Sequence, residues 1–230
     1  MAQTGGSHNE TDNETPDDAF GDMFGEALDE AADAIAAQAP NGPRLLVGLT
    51  GAPGVGKSTF AAYVTRQCNA VDHRAVVVPM DGFHFSNTVL RQLGRSARKG
   101  APDTFDVDGF IALLARVRGS AEPVYAPCFH RELEESFAAE IVIEPSHEVV
   151  LVDGNYLLLD GPWSGVRPLL DLCIHLRAHD NAFRIARLVA RHVEHGRSPV
   201  DALEWVERSD EANARVIEAA ATRADRVILL

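Results

Sequence analysis

From residue 44 onward the chain alternates short, continuous apolar runs with longer segments whose apolar residues recur every three to four positions. The runs are Leu45–Thr50, Ala75–Pro79, Ile141–Ile143, Val149–Val152, Leu172–Leu176 and Val227–Leu230. Helical spacing covers Ser58–Cys68, Val107–Val117, Asn181–His195 and Pro199–Thr222. Strands without polar alternation are buried on both faces, and strands that alternate with helices pair in parallel. The pattern therefore predicts an α/β fold with a covered parallel sheet, and a ligand at the carboxyl ends of its strands. Residues 1–16 are polar and acidic, the composition of a disordered tail. Phe20, Phe24, Ala27, Leu28, Ala31 and Ile35 then fall at helical spacing behind Asp17 and Asp18, before Pro40, Gly42 and Pro43. Residues 17–43 thus read as an amphipathic helix and linker. The expected seat of its apolar face is the domain's own core rather than a partner.

One junction carries chemistry. Between the run at Leu45 and the helical pattern at Phe60 stands Gly51-Ala52-Pro53-Gly54-Val55-Gly56-Lys57-Ser58-Thr59, a full G-x-x-x-x-G-K-[ST] loop. A buried strand, a glycine turn and a helix N-terminus build a nest of backbone N–H groups for a polyphosphate. Lys57 is placed to reach the β/γ-phosphates, and the Ser58 hydroxyl to bind Mg²⁺. A nucleoside triphosphate is the expected ligand. Only two lysines occur, Lys57 and Lys99, and neither has the neighbours of an N-K-x-D guanine motif, so a Ras-like GTPase is excluded.

The net charge of −13 changes the picture only once it is located. The first 43 residues hold ten acids and no Lys or Arg, which leaves 24 acids against 21 bases, or −3, for the rest. A nearly balanced domain has no electrostatic footprint for nucleic acid or an anionic membrane. No apolar run reaches spanning length, and no basic, apolar signal pattern opens the chain. Cys68, Cys128 and Cys173 are scattered and form no C-x-x-C pair, which fits a reducing cytoplasm and no zinc motif. A cytoplasmic monomer or homodimer acting on a small molecule is the expectation.

Two runs end in acids. Val149-Val150-Leu151-Val152-Asp153 has the form of a Walker B strand, whose terminal carboxylate holds Mg²⁺. The run before Met80-Asp81-Gly82-Phe83-His84 would bring Asp81 near the γ-phosphate, where a carboxylate can take the proton of an attacking hydroxyl. An Asp before Gly also serves simply as a turn former.

The loop, MDGFHFSN, RKGAPDTFD, LVDGNYLLL and NARVIEAAATRADRVIL follow one another in this order. Together they resemble the phosphoribulokinase / uridine kinase / pantothenate kinase group of P-loop kinases, in its bacterial nucleoside- or sugar-kinase-like branch. The likeness runs from about residue 42 to residue 230. It implies a three-layer P-loop NTPase fold over 44–230, with a mostly parallel five-stranded sheet and a helical lid at 180–198. It also implies an acceptor-binding region at 83–140.

By that resemblance Asp81 is the catalytic base, with Phe83, His84 and Asn87 following in the acceptor pocket. Arg98, Lys99 and Asp103 match a segment near acceptor and phosphates. RLVARHVEHG resembles a lid whose arginines close over the triphosphate. Arg184, Arg187 and Arg191 share one helical face, and Arg187 and Arg191 are the preferred catalytic pair. Three arginines so spaced also describe an ordinary solvated helix face. Tyr125 to Arg131 occupies the aromatic–Pro–aromatic acceptor segment, with His130-Arg131 where the branch commonly has Asp-Arg. Asp153 stands where many relatives have Glu.

The activity implied is ATP- and Mg²⁺-dependent phosphorylation of a hydroxyl on a nucleoside-like acceptor. Pantothenate and a fructose-like ketose are alternatives. A non-catalytic, regulatory ATP-binding protein with an acidic interaction arm is the rival of another class.

Overall fold

A computed structural model describes residues 25–27, 29–35, 44–70 and 73–230 of the chain. Five strands form one parallel sheet: β1 (Leu45–Gly51), β2 (Ala75–Pro79), β5 (Val149–Asp153), β6 (Leu172–Arg177) and β7 (Arg226–Leu229). Their spatial order is β2-β5-β1-β6-β7. The register aligns Leu49 with Asp153 and Pro79 with Asp153, so the two acid-ended strands finish beside the loop that follows β1.

The apolar runs are continuous because both faces of the sheet are covered. Leu46, Val150 and Val152 enter one core with Phe110, Leu114 and Trp163. Their neighbours Leu45, Val47, Leu49, Val149 and Leu151 enter a second with Phe60, Val64 and Ile174. Successive strand residues point to opposite faces, so one strand feeds two cores. The helices are α1 (Lys57–Ala70), α2 (Asn87–Gln92), α3 (Val107–Gly119), α4 (Asn181–Glu194), α5 (Pro199–Trp205) and α6 (Glu211–Ala220). Side-chain caps open several of them. Asp106 accepts from Gly109 N at the start of α3, and Asp180 accepts from Ala182 N and Phe183 N at the start of α4.

Residues 25–27 and 29–35 are helical, and Ala31 and Ile35 are buried in the second core. Phe20, Phe24, Leu28 and the Pro40–Pro43 stop, like the tail at 1–16, lie outside the described residues. Among the described residues no helix is long and apolar enough to cross a membrane.

Two expectations are corrected. Ile141–Ile143 does not join the parallel sheet; it ends β4 (Glu135–Ile143), which pairs antiparallel with β3 (Val124–His130) in a separate hairpin. Most of β4 is solvent-exposed, so it lacks the apolar signature of a core strand. The pattern at Pro199–Thr222 is not one α-helix either. Val206–Asp210 forms a π turn between α5 and α6, and Ala221–Arg223 closes as a 3₁₀ turn.

Candidate active site

The loop after β1 is held from below and from within. Gly51, Ala52 and Val55 are buried, while Pro53, Gly54, Gly56, Lys57, Ser58 and Thr59 line a cleft of about 1550 Å³. Gly54 has φ of 77°, and a Cβ there would lie 2.6 Å from Leu188 Cγ of α4, so the loop needs a glycine on both counts. The Lys57 ammonium donates to Gly51 O at 2.9 Å and Ala52 O at 3.3 Å. Burial pushes its pKa down, and the nearby carboxylates of Asp153 and Asp81 partly offset that. Ser58 Oγ donates to Asp153 Oδ2 at 2.8 Å. Burial raises the Asp153 pKa, against the pull of Lys57 and the Ser58 hydrogen bond. A cation, a hydroxyl and a carboxylate thus converge at the mouth of α1.

Asp81 sits in the 3₁₀ turn Met80–Phe83 that follows β2. Arg131, at the end of the hairpin's first strand, donates from Nη2 to Asp81 Oδ2 at 3.2 Å. The turn and the hairpin approach so closely that a Cβ on Gly82 would lie 2.3 Å from Pro127 O. His84 Nδ1–H donates to the Asp81 carbonyl at 2.8 Å, and its ring stacks between Phe105 and Phe129 at centroid distances of 4.0 and 4.7 Å. Burial in that sandwich lowers its pKa, which favours the neutral ring.

Lys99 also lines the cleft. It donates to Asn87 Oδ1 at 2.9 Å, pairs with Glu134 at 3.2 Å and lies over the Phe129 ring at 5.1 Å. Arg187 and Arg191 of α4 also line the cleft. Burial and the neighbouring Arg131 lower the pKa of Arg191, while Asp210 and Asp81 oppose the shift.

Other candidates are placed elsewhere. Arg184 is 3% exposed and faces the protein: it donates to Pro53 O at 2.8 Å, to Asn181 Oδ1 at 2.8 Å and to the Glu211 carboxylate. Arg98 and Asp103 pair with each other at 2.6 Å, and neither lines the cleft. Phe83 packs against Phe110 in the core at 5.1 Å. Tyr125 is 51% exposed on the outer face of the hairpin. Asn87 does not line the cleft; its side chain accepts from Lys99, which does, and donates to Glu134 O. His130 lies between Glu132 and Glu140, outside the cleft lining.

Sequence reading also missed lining residues. Phe105 and Phe129 were inside quoted segments yet unassigned, as was Asn213, whose amide donates to Gly100 O at 3.5 Å. Tyr156, in LVDGNYLLL, also donates to Gly100 O, so two segments distant in sequence position one carbonyl of RKGAPDTFD. His192 of α4 meets Asp210 of the π turn at 2.9 Å, a pairing that no local pattern signals. A second, mostly apolar cavity of about 360 Å³ lies behind the loop; it includes Val55, Ala178, Phe183 and Leu230 and shares Gly54 and Arg187 with the cleft.

Comparison with known proteins places the chain among P-loop kinases. A "putative uridine kinase" of Schizosaccharomyces pombe is 34% identical over 188 residues, covering 76% of this chain and 78% of that protein. The pantothenate kinase of Mycolicibacterium vanbaalenii is 28% identical over 135 residues, and the match spans 43% of its length. Among solved structures, a "putative fructose transport system kinase" from Silicibacter sp. TM1040 superposes with a TM-score of 0.80 at 38% identity, over 87% of this chain and 98% of that one. The model of the Phosphoribulokinase / Uridine kinase family matches residues 46–229, so the chain belongs to that family of P-loop kinases.

Proposed function

We propose that the protein transfers the γ-phosphoryl group of ATP to a hydroxyl of a nucleoside-like small molecule. The observation that carries this reading is the facing of two groups across one cleft. Lys57, Ser58 and Asp153 lie at the loop, and Asp81, held by Arg131, lies at the adjoining strand end. The loop and Lys57 cradle the triphosphate, and the smaller cavity behind the loop, with Val55, Phe183 and Leu230 beside His179 and Asp180, suits a planar base with polar edges. Ser58 and Asp153 offer a hydroxyl and a carboxylate, hard oxygen donors that fit Mg²⁺, which when bound neutralises charge on the β- and γ-phosphates. Asp81 accepts the proton of the acceptor hydroxyl as the oxygen attacks phosphorus. Arg187 and Arg191 on α4 stabilise the transferring phosphoryl group, and α4 screens it from water.

A ketose acceptor is the second reading. It is favoured by the 38% identity, over nearly its whole length, to the protein described as a fructose transport system kinase.

ADP release measured against a panel of nucleosides and ketoses separates the two readings. Asp81→Asn is expected to lower kcat for the best acceptor by about 10²–10⁴-fold while the KM for ATP changes little. Full activity of that variant would remove Asp81 from the role of base.

A further inference from the structure

The β3–β4 hairpin carries a cluster of side chains to which the proposed phosphoryl transfer gives no role, one of them, Cys128, at the edge of the cleft. Cys128 and His130 are two residues apart on β3 and so share a face. Across the hairpin the register jumps: Ala126 pairs with Ile141, but Cys128 pairs with Phe137. Pro127 on one strand therefore faces three residues, 138–140, on the other. Proline cannot donate to the ladder, which is where a bulge is tolerated. Within the bulge Ala139 takes φ of 63°, a left-handed conformation rare outside glycine. The bulge turns Glu140 toward the first strand, and its Oε2 lies 2.6 Å from His130 Nε2. The Cys128 thiol, a His130 ring nitrogen and a Glu140 oxygen all fall within 4.8 Å of one another.

We propose that Cys128, His130 and Glu140 bind one borderline-soft divalent cation, Zn²⁺ by preference, on the hairpin beside the cleft. Bond lengths of about 2.0 Å to nitrogen and oxygen and about 2.3 Å to sulfur place tetrahedral ligand atoms roughly 3.3–3.8 Å apart, so side-chain rotation of about 1 Å gathers the three. The ion takes the place of the proton between His130 and Glu140. The other ring nitrogen, Nδ1, is 3.1 Å from Glu132 Oε1. A carboxylate on the far nitrogen of a liganding histidine fixes the ring's orientation and strengthens it as a donor, and that partner is already in place. The thiolate selects against Mg²⁺ and Ca²⁺, which sets this site apart from the all-oxygen pair Ser58 and Asp153. Three protein ligands leave a fourth position for water or an exogenous donor. The ion would tie β3 to β4 next to Arg131, the residue that holds Asp81.

The test is a titration of the chelator-stripped full chain with Co²⁺ in excess Mg²⁺, read by absorption, followed by displacement with Zn²⁺. One equivalent should give a thiolate-to-cobalt charge-transfer band that Zn²⁺ abolishes. Cys128→Ser should lose the band, and Glu140→Gln, at an exposed position, should weaken Zn²⁺ binding more than ten-fold. Glu132→Gln should weaken it by about 10-fold or more through the histidine. Near-ultraviolet circular dichroism identical to the parent establishes that each variant is folded. Absence of the band in the parent chain, or a band unchanged in Cys128→Ser, overturns the site. So does Zn²⁺ affinity unchanged in Glu140→Gln.

Discussion

His175 is fully buried in β6 beside Thr50, donating from Nε2 to Glu218 at 2.9 Å, while its Nδ1 has no hydrogen-bond partner among the described residues. Burial lowers its pKa more than Glu218 raises it, and His84 in its aromatic sandwich shifts the same way. In the unfolded chain both titrate near the ordinary value of about 6.5. Between that value and the lower folded ones, the unfolded state binds protons that the folded state refuses. The stabilisation is complete above about pH 6.5 and is lost as the pH falls through the window. Melting temperature should therefore drop between neutral pH and about pH 5, and His175→Gln should flatten that slope in thermal melts recorded across the range. A slope identical in both proteins would assign the acid sensitivity to other groups. Burial also pushes the Cys173 thiol up to about 12, so this cysteine should resist alkylation in the folded protein.

The hairpin and the Asp81 turn meet where only a glycine fits. In Gly82→Ala the added methyl would press on Pro127 O, backbone that cannot swing aside as a side chain can. The hairpin must shift, and with it Arg131, which reaches Asp81 from just past the end of the same strand. We expect kcat to fall at least about ten-fold, with the KM for ATP nearly unchanged because the loop side of the cleft is untouched. A fall in kcat matched by an equal loss of folded signal in circular dichroism would instead point to general unfolding.

The contrast between β1 and β4 shows which elements could be read in advance. Strand β1 is buried at every position, and its sequence says so. Strand β4 rests outside the core, carries its exposed positions in a row and contains a bulge, so its pairing is set by contacts far along the chain. The π turn at Val206–Asp210 escaped for a related reason. Ala202, Val206, Ala214 and Ile217 keep nearly helical spacing across it, and neither Gly nor Pro marks the extra residue. Loop residues and strand-end acids were legible because each is fixed by its own local motif. The sandwich around His84 and the pairing of His192 with Asp210 were not, since they join separate segments.

Across the molecule, one buried guanidinium fastens three separate parts. Arg184 joins the loop at Pro53, its own helix at Asn181 and the start of α6 at Glu211. Arg184→Met would keep the packing volume but leave the Glu211 carboxylate unpaired and the Pro53 carbonyl without its donor. Breaking a buried pair from one side costs about 3–5 kcal/mol, and the partial exposure of Glu211 places the expected loss near the lower end. Urea unfolding measures it, and a change below about 1 kcal/mol would deny Arg184 this role. The strand order has a further consequence, for how the molecule comes to exist. Strand β1 lies in the middle of the sheet, and both its neighbours, β5 and β6, begin only at residues 149 and 172. Pairings this distant in sequence form late and slowly. A nascent chain therefore carries the whole GAPGVGKST sequence long before it has the neighbouring strands to hold it in shape. During synthesis nucleotide can engage only after β6 has emerged, and until then β1 is an exposed apolar segment in need of shielding.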